Sequence, residues 1–269
     1  MFIYELNQKY LLLALRESGL KKEEEHEGVV MSVTPPLHDH FALVKAVYEV
    51  VDPKSITQTY KLFHHKQYWD VLFDQIPGTP VVSHPEIEVH LFKRKKQLFV
   101  TKKIWETTDD LNARKNQARP WPHPTTLDPV LAKALLNIAS PKKTFLDPMC
   151  GAGGILLEAC LLGLQTTGID LYAPMIGRAK ENLAHYNCNA TLLIKDFREH
   201  QGCYDAVVTD LPYGRSSKTS GENLFAELLA KKFANKQIII TNKPFRNLTK
   251  DIIEIPMHKS LTRYVHFFV

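Results

Sequence analysis

The chain reads as two α/β units: a small α+β module followed by a doubly wound, mostly parallel sheet of seven strands. Three observations predict this. From residue 144 onward, short β-branched runs alternate with segments of helical period; four aspartates (Asp147, Asp170, Asp196 and Asp210) close successive predicted strands; and a polar, proline-bearing stretch at 106–127 divides this half from the first hundred residues. With 269 residues, 44% of them hydrophobic, the chain can bury one large core and one small one.

In the first unit, 2–6 alternates as a strand, 7–18 places apolar residues at helical spacing before the stop signal Gly19, and 29–33 is rich in valine. Residues 39–51 read as a helix begun by Asp39. Strands are expected at 56–63 and 87–92 around a helix at 67–75, and 97–104 should pair with 87–92 through the basic turn Lys93, Arg94, Lys95 and Lys96. The module therefore spans 1–105. Residues 106–127, with Pro120, Pro122 and Pro124, read as an extended, semi-rigid linker, and 128–269 as the second domain.

Asp128 and Pro129 form an N-cap and a pre-set first turn for a helix at 130–139. Strands follow at 145–146, 165–170, 191–196, 204–210 and 237–241, with helices at 154–162, 174–186 and 222–233 between them. A terminal strand pair at 252–256 and 262–269 completes the sheet. In such sheets ligands gather beyond the carboxyl ends of the strands, where the four aspartates lie.

The opening residues lack a basic segment followed by an apolar one, and no apolar run approaches the roughly 20 residues that span a bilayer. A cytoplasmic protein with no membrane partner is expected. Cys150, Cys160, Cys188 and Cys203 show no paired spacing and read as buried thiols. His38, His40, His64, His65 and His84 form no ligand pattern, so no metal is expected. The net charge of +5 is local: residues 91–119 carry +6 and the rest −1. Lys93, Arg94, Lys95, Lys96, Lys102, Lys103, Arg114 and Lys115 are thus candidates for a phosphate backbone, the alternative being a solvated hairpin that blunts a sheet edge.

Two motifs carry chemistry. The loop from Asp147 to Gly154, with Met149, Cys150, Gly151 and Gly153, turns tightly into a helix whose free N–H groups suit a carboxylate; with Asp147 facing an ammonium, it would hold the amino-acid end of S-adenosyl-L-methionine. Asp170, 19 residues beyond Gly151 and followed by Leu171, has the spacing of a ribose ligand. Asp196 and Phe197 would meet an adenine. No nicotinamide or flavin GxGxxG and no GKS/T accompany the loop. The second motif is Asp210-Leu211-Pro212-Tyr213. A ring-attached amine is a poor nucleophile until acceptors take its hydrogens; Asp210 and the Leu211 carbonyl would accept, Pro212 would hold that carbonyl extended, and Tyr213 would offer a stacking face. The alternative is an ordinary strand-ending turn.

The segment Arg114 to Leu127, the loop Asp147 to Gly154, the run Asp210-Leu211-Pro212-Tyr213-Gly214-Arg215 and Ser260-Leu261-Thr262-Arg263-Tyr264 resemble the THUMP-containing tRNA guanosine N2-methyltransferases, most of all the archaeal type acting on guanosine 10. The resemblance covers the chain from about residue 114 onward. It implies a class I S-adenosylmethionine-dependent methyltransferase fold and formation of N2-methylguanosine or N2,N2-dimethylguanosine in tRNA. The N-terminal unit becomes a shortened THUMP-like module gripping the acceptor end. It further implies that His123, Thr125 and Thr126 fold over the cofactor and that Arg215 meets phosphate or base; a monomer is expected, alone or with a small zinc-binding activator such as some relatives use. Leu211 stands where the family has a proline, and Ala152 where it often has a hydroxyl. Related tetrapeptides also serve other tRNA positions, rRNA, DNA adenine and protein glutamine; a non-catalytic RNA-binding protein with a decayed cofactor site is the reading from another class.

Overall fold

The computed structural model describes residues 1–20, 25–26, 29–32, 41–64, 66–94, 97–212, 221–258 and 261–268. The chain divides into two compact units, Met1–Thr108 and Asp109–Val269.

The first unit is built on a seven-stranded sheet. Its strands are β1 (Phe2–Leu6), β2 (Glu25–His26), β3 (Val29–Ser32), β4 (Val44–Val50), β5 (Tyr60–Phe63), β6 (Ile87–Arg94) and β7 (Gln97–Glu106), in the order β2-β3-β1-β4-β7-β6-β5. Two short helices accompany it, α1 (Leu11–Ser18), ended by Gly19 in the left-handed conformation, and α2 (Trp69–Phe73). Leu72 and Ile76 pack with Tyr60, Leu62, Val89 and Leu91 on one face.

One element differs in kind from expectation. Residues 39–51 do not form a helix; Val44–Val50 is a strand between β1 and β7, while Asp39 itself lies outside the described residues. Val44, Ala46, Val47 and Tyr48 are all buried, because a central strand is covered on both faces and loses the strict alternation that marks a half-exposed one. The β-branched valines were the better guide.

The second unit opens earlier than the sequence suggested. Asp109 to Leu127, expected as linker, belongs to it from Asp109 on and contains two 3-10 turns, Leu111–Arg114 and Asn116–Ala118. A buried ion cluster pulls it in: Arg114 donates to both Glu158 oxygens at 3.0 Å and to Asp109 at 2.6 and 2.8 Å, and Lys133 Nζ lies 2.6 Å from Asp109.

Helix α3 (Pro129–Ala139) starts as expected, with Asp128 accepting from the Val130 amide at 3.0 Å. It buries Leu131, Leu135 and Leu136 completely, each contributing about 1.5–3 kcal/mol. Then β8 (Thr144–Asp147), α4 (Gly154–Leu161), β9 (Gln165–Asp170), α5 (Ala173–His185), β10 (Thr191–Ile194), β11 (Ala206–Asp210), α6 (Gly221–Ala230), β12 (Lys236–Thr241), β13 (Ile252–His258) and β14 (Leu261–Phe268) complete the unit. The sheet order is β10-β9-β8-β11-β12-β14-β13, parallel except where β14 meets β12 and β13. This is the doubly wound sheet expected from the sequence. The order reverses between β8 and β11, so Asp147 and Asp210 flank the switch point.

Cys150 and Cys188 are buried as expected, whereas Cys203 is exposed. Among the described residues no helix is long and apolar enough to cross a membrane.

Candidate active site at the carboxyl end of the second sheet

The loop after β8 is shaped by what its backbone must do. Gly151 and Gly153 have φ of +52° and +83°, a region in which a side chain is strained. The Gly151 amide donates to Asp170 Oδ2 at 2.9 Å, tying the loop to the end of β9. Gly153 caps α4 without any side-chain acceptor, so the first amides of that helix keep their hydrogens for a ligand. A Cβ on Gly154 would lie 2.6 Å from Thr126 Cγ2, so the 123–126 segment sits directly against this helix start. Asn182 holds the arrangement from α5: it donates to the carbonyls of Ala152 and Trp121 at 3.0 and 3.1 Å and accepts from the Trp121 amide at 2.9 Å.

Asp147 is almost fully buried, accepting from Thr209 Oγ1 at 2.7 Å and from the Met149 amide at 3.2 Å. Burial pushes its carboxyl up to about 7; the two hydrogen bonds oppose this, and the neighbouring Asp170 and Asp210 add to it. Asp210 is likewise raised to about 7 by burial, with Arg263 pulling the other way. Its Oδ2 lies 3.1 Å from Arg263 Nη2, while its buried Oδ1 has no partner among the described residues. Two near-neutral carboxyls flanking a sheet's switch point are a functional signature.

Both carboxylates line one cavity of 610 Å3, within the range of small-ligand sites. His123, Thr125, Thr126, Met149, Cys150, Gly151, Leu171, Phe197, Leu211 and Pro212 line it with Asp147, Asp170, Asp196 and Asp210. Of the residues singled out for cofactor or catalysis, Gly153 alone among the described ones does not; its conformation serves the turn. Tyr213, like Arg215, Lys95, Lys96 and Ser260, lies outside the described residues.

Details differ from expectation at three places. Asp170 spends one lone pair of each oxygen on the backbone, on Gly151 and, at 2.9 Å, on the Tyr172 amide. Asp196 follows β10 by two residues and caps the next turn, accepting from the Arg198 amide at 2.9 Å and pairing with its guanidinium at 2.8 Å. Phe197 belongs mainly to the core, and the Arg198 guanidinium lies over its ring. His123 Nδ1 stands 2.8 Å from Thr125 Oγ1; burial, then Arg178, holds its imidazole below the ordinary range.

The basic candidates separate. Arg114 is engaged by Asp109 and by Glu158 on α4, a partner remote in the chain. Lys103 is engaged by Glu88 and Glu106. Lys93 is exposed and bonds Tyr68 at 3.0 Å, Lys102 and Lys115 are exposed, and Arg94 is half-buried. Sequence reasoning missed Thr209, Asn182, Arg198 and above all Arg263. Arg263 is buried in β14, inside the run Ser260-Leu261-Thr262-Arg263-Tyr264 that the sequence offered only as part of a resemblance.

Residues 116–252, about half of the chain, match the family model described as UPF0020: RMKL-like, methyltransferase domain. The tRNA (guanine(10)-N2)-dimethyltransferase of Methanothermobacter thermautotrophicus is 33% identical over 58% of this chain and 53% of its own length. The probable tRNA (guanine(10)-N2)-dimethyltransferase of Methanothermococcus thermolithotrophicus is 32% identical over 51% of this chain and 96% of its own. That of Methanocaldococcus jannaschii is 28% identical over 70% and 59%. The chain thus spans about half the length of the first of these relatives.

Proposed function

Because the chain belongs to the RMKL-like methyltransferase domain family, we propose that it methylates the exocyclic N2 amine of a guanosine in tRNA, guanosine 10 first of all, with S-adenosyl-L-methionine as donor. One observation carries the reading: the unpartnered, buried Oδ1 of Asp210 shares a single cavity with the glycine bend and the uncapped start of α4.

The residues present fit the donor. The α4 amides suit its carboxylate, and Asp147 its ammonium. Asp170 retains acceptor capacity for a ribose hydroxyl, while Asp196 and Phe197 would close the far wall beside the adenine. When bound, the donor supplies a methyl whose bond to sulfur breaks as the bond to the amine nitrogen forms. Asp210 accepts one amine hydrogen and the Leu211 carbonyl the other, which turns the nitrogen lone pair outward; the surplus proton passes to Asp210 or to water. Pro212 keeps the carbonyl extended, and Tyr213 stacks on the displaced base. Positioning supplies most of the acceleration. The N-terminal unit acts as a reduced THUMP-like module on the tRNA, using Lys93, Arg94, Lys95, Lys96 and Lys102, and the chain works as a monomer, alone or with a small zinc-binding activator.

The test is incubation of the purified protein with methyl-labelled donor and tRNA transcripts, followed by nucleoside mass spectrometry. N2-methyl- or N2,N2-dimethylguanosine at position 10 is expected, and Asp210→Ala should lower the rate by at least about 10²-fold with donor affinity retained. Label at another tRNA position, or only in rRNA, DNA adenine or protein glutamine, overturns the substrate. Absence of donor binding overturns the enzyme.

A further inference from the structure

Arg263 stands third in β14 and is 4% exposed, an unusual place for a guanidinium. Tyr264 pairs with Thr241 at the carboxyl end of β12, so Arg263 lies just past that end, where β11 delivers Asp210. Its Nη2 is 3.1 Å from Asp210 Oδ2 and 3.1 Å from the carbonyl oxygen of Thr125. One nitrogen therefore bridges the reactive carboxylate and the segment that closes the cavity. The remaining Asp210 oxygen is buried, with no partner among the described residues.

We propose that Arg263 is a positioning residue for methyl transfer: it holds Asp210 Oδ2 so that the carboxylate stays an anion with Oδ1 turned to the amine, and it fixes the Thr125 backbone against the same carboxylate. This rests on the reading of Asp210 as the amine's acceptor. The alternative acceptor geometry, with either oxygen free to rotate toward the cavity, is removed by the bond to Oδ2.

The charged surroundings of Asp210 make the arginine necessary. Asp147 faces it from β8, and the two carboxyls disfavour being ionised together. Asp196, Lys195 and Arg198 line the far part of the cavity, and His123 lines it from the covering segment. Among these groups only Arg263 forms a direct ion pair with Asp210. Burial already brings this carboxyl to about 7 with the arginine in place. Removing the arginine takes away the influence that lowers it, so the carboxyl rises by a further 1–3 units or so, the usual size of an adjacent arginine's effect. The rate needs the anion, so its acid limb moves to higher pH. At pH 7 the loss is about 5-fold or more, and it is recovered only as the pH passes the raised value.

The experiment compares the full-length chain with Arg263→Met and Arg263→Lys. Two quantities are followed from pH 5.5 to 9.5: kcat for tRNA methylation at saturating donor, and the Asp210 side-chain carbon signal in NMR, assigned by its loss in Asp210→Asn. An alkaline shift of at least one unit in both for Arg263→Met, with a smaller shift for Arg263→Lys, is the expected result. An unmoved Asp210 titration, or a rate lost equally at every pH, overturns the proposal and leaves Arg263 a structural residue. If Arg263→Met does not fold, the same criteria apply to Arg263→Lys. The carboxyl titration does not require turnover. A wild-type protein that methylates no tRNA yet shows the arginine-dependent shift would therefore refute the proposed function and not the coupling of Arg263 to Asp210.

Discussion

Replacing Arg114 with methionine separates a structural role from an RNA-binding one. Its guanidinium makes two bonds of 3.0 Å to Glu158, whose side chain is 1% exposed, and two of 2.6 and 2.8 Å to Asp109. Asp109 keeps Lys133 at 2.6 Å in the variant, but no other ion pair is made to Glu158 among the described residues. Breaking a buried pair by deleting one partner costs about 3–5 kcal/mol. For a unit of this size that is a fall in Tm of roughly 6–20 °C. Calorimetry and urea unfolding by circular dichroism at pH 7.5 measure it. The double variant Arg114→Met with Glu158→Met should recover most of the loss, since a well-packed apolar pair replaces a buried ion pair at little cost. A loss below about 1 kcal/mol, or intact stability with weakened tRNA binding, would refute the argument and return Arg114 to the nucleic-acid surface.

Asp147→Asn bears on the buried carboxyl. A group raised to about 7 in the folded chain favours folding below its unfolded value near 4, and that contribution is lost as pH rises towards 7 and beyond. The variant should therefore be more stable than wild type at pH 8, by of order 1–3 kcal/mol, with the gap closing near pH 4 in thermal melts; its donor affinity by calorimetry should fall. Gly153→Ala meets Ala179 Cβ at 3.1 Å with φ at +83° and should lose stability, whereas a Cβ at Gly151 meets nothing within 4 Å. Gly151→Ala should thus cost only about 1–2 kcal/mol of left-handed strain while weakening donor binding, which calorimetry separates from stability. Lys95→Glu with Lys96→Glu should weaken tRNA binding and flatten its dependence on salt, measured by filter binding between 50 and 300 mM salt; an unchanged slope places the RNA elsewhere.

What the sequence revealed depended on how locally each feature is written. The sheet of the second unit was legible because parallel strands need crossovers, and strand and helix periods alternate through it except between β10 and β11, which only a 3-10 turn separates. Asp147, Asp170 and Asp210 were legible because a strand's last residue is marked by the glycine, proline or turn that follows. Arg263 was not, because its meaning lies in Asp210 and Thr125, both distant along the chain and brought near by the order of strands. The ion pairing of Arg114 was hidden for the same reason, since its partner lies on α4. Val44–Val50 misled because a strand covered on both faces carries no period of two.

Asn182 joins Trp121, two residues before the segment that lines the cavity, to Ala152 in the glycine loop through one side chain. A door latched to its own frame cannot swing as an independent flap. Lifting this stretch from the helix start would break three hydrogen bonds together, so its opening is a cooperative local unfastening in which α5 takes part.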